Sequence, residues 1–219
     1  MNKKTRIDLF GACALILFSV LLAINHIVIK VVNTGLNPVF FAGARSVIAF
    51  FFLIIWMRLF NKPIVFKKNL ILISCLAGLV FALEFLFLFL ALDFTTVSRN
   101  SIIFYSMPVW LAILAHFFVP NERLNILKMF GLICAFTGVT LSLSVSMTDF
   151  SFKNNLFLGD FFAFLAAFTW ALLILLAKGT KFNQVPPEMQ LIWMVMVSGP
   201  VLILFSLILG DPIRDFEMV

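Results

Sequence analysis

Seven apolar segments, each about as long as a lipid bilayer is thick, constrain this sequence more than any other feature. They cover residues 8–31, 38–60, 69–92, 96–119, 124–146, 159–178 and 187–209. An α-helix rises about 1.5 Å per residue, so about 20 apolar residues cross a hydrocarbon core of about 30 Å. Within a bilayer, a helix satisfies the backbone polar groups of such a segment. The sequence therefore predicts an all-α polytopic membrane protein with seven transmembrane helices.

The composition argues against a water-soluble domain. Apolar residues make up 63% and charged residues 12% of the chain, against about 45–50% and about 25% in soluble domains. The formal net charge of +6 is typical of nucleic-acid binding, but the basic residues lie between apolar segments, where they set the topology instead. His26 and His116 have no partners at ligand spacing. We therefore predict no nucleic-acid partner, no metal site and no cofactor.

The basic residues fall unequally on the two sides of the predicted bundle. One side receives eleven of them, Lys3, Lys4, Arg6, Arg58, Lys62, Lys67, Lys68, Arg123, Lys128, Lys178 and Lys181. The other side receives four, Lys30, Arg99, Lys153 and Arg214. Because the Lys- and Arg-rich side of a membrane protein faces the cytoplasm, the N-terminus is predicted inside. After an odd number of spans, the C-terminus of the chain is predicted outside.

An internal repeat relates the first two segments to the last two. Gly11, Ala23, Lys30 and Pro38 recur as Gly159, Ala171, Lys178 and Pro186, always 148 positions later. Corresponding spans of the two copies are five spans apart, an odd number, so the second copy enters the membrane upside down. Such inverted repeats are typical of secondary transporters, whose substrate site lies between the halves. The predicted division is a five-helix repeat over residues 1–147 and a partial, two-helix second repeat over residues 157–219.

Polar side chains within the segments form one predicted layer. Measured along the helices from their outer ends, Arg99 and Asn100 lie about 5–6 Å deep, Asn25 and Arg45 about 8–11 Å, Glu84 about 12 Å and Tyr105 about 13 Å. A charge at such depth is costly unless it is paired or faces water, so each is a candidate for substrate binding or coupling. Arg45 and Glu84 have opposite charges on adjacent helices, and we predict that they pair. A structural ion pair and a substrate or proton role both remain open.

The other candidates have more ordinary interpretations beside the functional one. Arg99 follows Asp93 near the headgroups, where long basic side chains extend to the interface. Asn25 and Asn100 are predicted to form hydrogen bonds between helices, and they are also candidate ligands.

Two aromatic residues and two prolines complete the candidate set. Tyr105 and Trp170 lie deep in their spans, where they either line a cavity or fill the core. Pro108 lies near the centre of the fourth span, and Pro200 follows Gly199 in the seventh. Because proline removes a helical hydrogen bond, we predict a kink or an interruption at both prolines.

Small residues recur every four positions in three of the segments. They are Ser74, Gly78 and Ala82, then Gly131 and Ala135, then Ala163, Ala167 and Ala171. Such faces allow the backbones of neighbouring helices to approach closely in lipid. We expect each of these faces to pack against another helix.

Several stretches together resemble the EamA-type members of the drug/metabolite transporter superfamily. In the first half they are AINHIVIKVV, PVFFAGARSVIAFFF and LEFLFLFLALDFTTVSRNSIIFYSMPVWLAILAHFFVPNERLNILKMFGLICAFTGVTLSLS; in the second half the stretch is LGDFFAFLAAFTWALLILLAKGT. The resemblance implies ten helices in two inverted sets of five. It also implies export of small metabolites, such as amino acids, amines or related compounds and drugs, across a bacterial inner membrane. The chain ends two helices into the second set, so the resemblance implies a C-terminal truncation.

The implied partners are the lipid bilayer and a small-molecule substrate. Protons are the candidate coupling ion, and a homodimer is the candidate assembly. The sequence contains no HExxH or GxSxG motif and no paired carboxylates within its spans, so an enzyme is not predicted. Because the second repeat is incomplete, the alternative function is a non-transporting membrane fragment or an accessory packing subunit.

Overall fold

The computed structural model of the protein describes residues 9–62, 68–119, 125–145, 154–210 and 213. Over these residues the chain forms the helices α1 (Leu9–Val32), α2 (Pro38–Leu59), α3 (Ile71–Phe94), α4 (Val97–Phe104), α5 (Met107–Phe118), α6 (Ile126–Val145), α7 (Asn154–Gly179) and α8 (Pro187–Leu209). Short 3-10 turns precede α3 and α8. In the described ranges there is no β-strand, although an isolated bridge joins Leu36 to Ile213.

The predicted all-α polytopic membrane fold is confirmed. Six helical segments of the described chain are long and apolar enough to cross a membrane, and α6 contains a shorter apolar helix, Ile126–Gly138. α4 and α5 together form one of the six segments, Val97–Phe118. The helices therefore correspond to the seven predicted spans. The largest difference in boundary is at α7, which begins at Asn154 rather than at residue 159.

Helix α3 is the centre of the bundle. It packs chiefly against α7 and α8, while α2 packs chiefly against α8. In the most apolar window of α3, 56% of the residues are buried, against 11% in α1. α1 therefore presents most of its apolar surface outward, as expected for a helix that faces lipid, and the polar residues of α3 lie in the interior.

The small-residue faces of α3 and α7 pack as predicted. Ala163, Ala167 and Ala171 are fully buried. A Cβ atom on Gly78 would lie 2.5 Å from the Cβ of Val197 in α8, so only glycine permits this approach. The prediction is wrong for α6, where nothing in the described chain lies within 4 Å of a Cβ built on Gly131. This helix makes few contacts with the other described helices, and Gly131 and Ala135 are both exposed in the described part of the chain.

Contacts between helix ends fix the direction in which the helices run. Lys62, just after α2, forms an ion pair of 3.2 Å with Glu188 at the start of α8, so α2 and α8 are antiparallel. Lys30 at the end of α1 bonds to the end of α3, and Asp160 near the start of α7 lies beside the start of α4. α1 and α7 are therefore antiparallel as well. We call these two ends of the bundle the Lys62 end and the Arg99 end.

The interruption predicted at Pro108 is a complete break between α4 and α5. Proline has no N–H to donate to the carbonyl of Phe104, four residues earlier, and its ring crowds that carbonyl. Ser106 lies in the break between the two helices, and its Oγ donates to the Ile103 carbonyl at 2.6 Å. The Ser106 Oγ in turn accepts a hydrogen bond from Trp110 Nε1 at 3.2 Å. These two hydrogen bonds stabilise the turn between α4 and α5; the carbonyl that the proline leaves without its usual donor is that of Phe104.

At Pro200 an interruption is wrong, because α8 is continuous from Pro187 to Leu209; the kink predicted there stays a prediction. Pro200 is exposed, so its ring faces outward, where no neighbouring helix crowds it. Gly199 faces α2, and a Cβ built on it would lie 2.8 Å from a methyl carbon of Val47. This packing supports the helix at the position where one hydrogen bond is missing.

Candidate functional site

Arg45, in α2, is at the centre of the predicted polar layer. Its Nη1 donates a hydrogen bond to Asn25 Oδ1 of α1 at 3.0 Å. The guanidinium carbon lies 4.9 Å from the ring centroid of Phe85 and 5.8 Å from that of Phe89. An amide and two aromatic faces therefore hold the cation. Of the five N–H donors of a guanidinium, one has an acceptor among the described residues, which leaves most of its binding capacity for another group.

Glu84 lies beside Arg45 on α3 and is 1% exposed. The two charges are near enough to interact electrostatically. No ion pair within 4.0 Å joins these two side chains in the described part of the chain. Oε2 of Glu84 has no hydrogen-bond partner among the described residues. The structure thus brings the two predicted partners together without joining them directly.

His26 belongs to the polar layer, although the sequence marks it only as isolated. It is 2% exposed, and its Nδ1 lies 3.2 Å from Ser101 Oγ. Its ring stacks on Tyr105 with centroids 6.1 Å apart. Tyr105 itself lies at the break between α4 and α5 and is 48% exposed. Tyr105 directly follows the eight residues of α4, so the break comes after it, and the depth predicted for it stays a prediction.

Asn100 and Trp170 lie in the interior near these groups. Asn100 is fully buried, and neither atom of its side-chain amide has a hydrogen-bond partner in the described part of the structure. The interhelical hydrogen bond predicted for Asn25 is present, whereas the one predicted for Asn100 is not. Trp170 lies between aromatic neighbours, 6.4 Å from Phe81 and 6.5 Å from Phe104, measured between ring centroids. Trp170 therefore packs in the aromatic core.

Arg99 forms an ion pair with Asp160 of α7, a residue that the sequence analysis does not single out. Nε of Arg99 donates to Oδ1 at 3.2 Å, and Nη2 donates to Oδ2. Thr95 Oγ1 also donates to Oδ1, at 3.0 Å. The two side chains are only 13% and 18% exposed. The expectation that Arg99 extends to the interface is wrong, because it bonds inward to a neighbouring helix.

A close approach of backbones places Asp160 at this position. A Cβ built on Gly159 would lie 2.7 Å from the backbone nitrogen of Thr95, so α7 passes directly against the turn between α3 and α4. Lys30 Nζ donates to the carbonyls of Asp93 and Thr95 at 3.2 and 3.0 Å. Four helices are thereby joined at the Arg99 end of the bundle.

A half-open cavity of about 450 Å³ lies between α2, α3 and α8, and one of its lining residues, Phe52, is 70% exposed. Arg45 is at one limit of this central cavity, and Trp56, near the Lys62 end of α2, is at the other. Its walls are otherwise largely aromatic and aliphatic, and Arg45 is the charged residue among them. Within the described ranges, no three His, Cys, Asp or Glu side chains cluster as metal ligands would.

Membrane-length helices around a buried polar layer and a central cavity define a polytopic α-helical membrane protein. Residues 9–144 match the EamA-like transporter family, and the chain belongs to that family. Over 183 residues it is 24% identical to the uncharacterized transporter YoaV of Bacillus subtilis (strain 168), a match that covers 83% of this chain and 61% of YoaV. The chain thus spans about three fifths of the length of this relative. No solved structure matches the chain.

Proposed function

We propose that this chain acts in a membrane transporter of the drug/metabolite type, which exports small metabolites such as amino acids, amines or related compounds and drugs. Membership of the EamA-like family supports the proposal. The observation that carries it is the placement of Arg45, a cation inside a membrane-spanning bundle that lines a cavity. Ionisable residues at such depth are expensive to bury and usually mark a transport pathway.

Alternating access between inverted repeats is the proposed mechanism, with residues 1–147 as one repeat and residues 157–219 as part of the other. The antiparallel directions of α1 and α7, and of α2 and α8, support this division, because inversion requires both. In such transporters the substrate site lies between the repeats. The central cavity fits that description, since α2 and α3 come from the first repeat and α8 from the second. Protons are the proposed coupling ion and a homodimer the proposed assembly.

A metabolite efflux screen tests the proposed function. Cells that express the chain should export at least one compound from a panel of amino acids, amines, carboxylates and small drugs faster than control cells do. The matched control expresses the Arg45→Met variant, which lacks the charge in the cavity. No difference in efflux across the panel would contradict the proposal, and it would favour the alternative of an accessory subunit.

The proposed location is a bacterial inner membrane, with the Lys62 end of the bundle in the cytoplasm. The proposal rests on the uneven distribution of basic residues, of which Lys3, Lys4, Arg6, Lys67, Arg123, Lys153 and Arg214 are not among the residues that the structure describes. Reporter fusions after Asn33, Asn61, Asp93 and Asn121 are expected to read outside, inside, outside and inside; Asn121 also lies outside the described ranges. Any other order of these four readings would refute this topology.

A further inference from the structure

We propose that the central cavity binds amphipathic monocarboxylates, ligands that have an apolar, ring-bearing body, one carboxylate and no ammonium group. The inference rests on the proposed function, because it names a substrate class for the same cavity. Among small metabolites it selects carboxylates, and it disfavours the amino acids and amines that the proposed function also includes.

The available donors of Arg45 select the head group of the ligand. In the described part of the chain, Arg45 donates to Asn25 and lies over two phenylalanine rings, with no carboxylate within 4.0 Å. A guanidinium presents a planar pair of N–H groups that matches a carboxylate in a two-point hydrogen bond. A ligand carboxylate would therefore supply the direct counter-ion that the described residues do not.

The cavity walls select the body of the ligand. Phe52, Trp56, Phe81 and Phe85 all line the space next to Arg45. A volume of about 450 Å³ falls in the range of about 300–1,000 Å³ that is usual for small-molecule sites. Aromatic and aliphatic walls around a single charged group favour an apolar body that carries its charge at one end.

The lining offers no good place for an ammonium group. The other polar side chain there is Ser46, whose hydroxyl donates to the Ala42 carbonyl at 3.0 Å. Glu84 is not among the lining residues, and it is only 1% exposed. The ammonium group of an amino acid or an amine would therefore lose its water without gaining a carboxylate. This loss disfavours zwitterions and cations relative to simple carboxylates.

The depth of Arg45 favours a free carboxylate over a lipid headgroup. Arg45 lies seven residues inside α2 from Pro38, which places it about 10 Å along the helix from that end. Lipid phosphates lie in the polar interface that flanks the hydrocarbon core. A lipid in its usual position therefore does not bring its phosphate to this guanidinium, whereas a small ligand that enters the cavity does bring its carboxylate there.

Three ligands with the same phenyl body and different charges test the inference. Binding of 3-phenylpropanoate, L-phenylalanine and 2-phenylethylamine is measured by equilibrium dialysis on the purified chain in phosphatidylcholine nanodiscs. We expect 3-phenylpropanoate to bind at least about tenfold more tightly than the zwitterion and the amine, because an unpaired buried charge is costly. Equal or tighter binding of phenylalanine or phenylethylamine would overturn the inference, as would no binding of the carboxylate.

Variants of Arg45 locate the site. Arg45→Gln is expected to weaken binding of 3-phenylpropanoate about ten- to hundredfold, and Arg45→Lys is expected to weaken it less. Arg58→Gln is the control, because Arg58 is an exposed arginine of the same helix. This variant is expected to bind 3-phenylpropanoate with the affinity of the wild type. Equal losses in Arg45→Gln and Arg58→Gln would place the binding elsewhere and overturn the inference. If Arg45→Gln does not fold, the ranking of the three ligands on the wild type still decides.

Binding and transport are measured separately, so the two proposals can fail independently. If 3-phenylpropanoate binds but no panel compound is exported, the inference stands and the proposed function falls. If amines are exported while the carboxylate does not bind, the proposed function stands and the inference falls.

Discussion

Replacing Asp160 by asparagine is expected to lower the free energy of unfolding by about 3 kcal/mol, because it leaves a shielded arginine without its partner. Arg99 donates to both carboxylate oxygens of Asp160, and its side chain is only 13% exposed. Asparagine offers one oxygen and no charge, so one of the two bonds is lost and the other is weakened. Unfolding by sodium dodecyl sulfate in mixed micelles, followed by tryptophan fluorescence, measures the loss.

A double variant and an exposed ion pair serve as controls for this effect. The double variant Arg99→Gln/Asp160→Asn is expected to lower the free energy of unfolding by much less than the sum of the losses in the two single variants, because no unpaired charge remains. Glu188→Gln breaks the ion pair between Lys62 and Glu188, in which the two side chains are 44% and 29% exposed. This variant is expected to lower the free energy of unfolding by at most about 1 kcal/mol. If Asp160→Asn loses no more than Glu188→Gln, the pair at the Arg99 end does not hold the helices together.

The membrane fold was predictable because length and apolarity alone decide which segments cross a bilayer. Backbone groups without water must bond within their own segment, so long apolar runs such as 187–209 could be assigned as helices without knowledge of their neighbours. The ends of α7 were harder to predict, because polar residues such as Asn154 and Asn155 also occur in loops. The sequence predicts where the helix changes at Pro108, but it does not predict a complete break. Pro200 lies in the same kind of segment, and α8 is continuous through it.

The pairing of charges was less predictable, because it depends on which helices are adjacent. The sequence places Arg99 near the headgroups and therefore predicts that its long side chain extends to the interface. Its actual partner, Asp160, lies on a helix that packs against it only because Gly159 permits close approach. The sequence carried one signal for this pair, an acidic residue within the apolar run of α7. The sequence predicts that Arg45 pairs with Glu84, whereas in the structure Arg45 donates to Asn25 and lies over two phenylalanine rings.

Glu84 is the other charged residue for which we expect a large effect. It lies on the central helix, is 1% exposed, and has one oxygen without a partner among the described residues. Two interpretations make different predictions for the double variant Arg45→Met/Glu84→Met. If the two charges only stabilise each other, the double variant should regain the folding and the transport that either single variant loses. If Glu84 carries a coupling proton, the double variant should fold and remain inactive, which is the result that we expect.

Glu84→Gln tests the same role without a change in shape. We expect this variant to keep its free energy of unfolding within about 1 kcal/mol of the wild type, because, unlike Asp160, Glu84 has no ion pair within 4.0 Å among the described residues and one of its oxygens has no hydrogen-bond partner there. In liposomes, accumulation of an exported compound driven by an imposed pH gradient should fall to the level of protein-free vesicles, since an amide cannot carry a proton.

Exchange of the same compound without a pH gradient should persist in Glu84→Gln, because alternation of the two repeats does not itself require the proton. Glu188→Gln replaces a half-buried carboxyl that is paired with Lys62 at the end of the bundle, and it should leave both activities unchanged. Gradient-driven accumulation at the wild-type rate in Glu84→Gln would remove this carboxyl from the coupling mechanism and leave it a structural role beside Arg45.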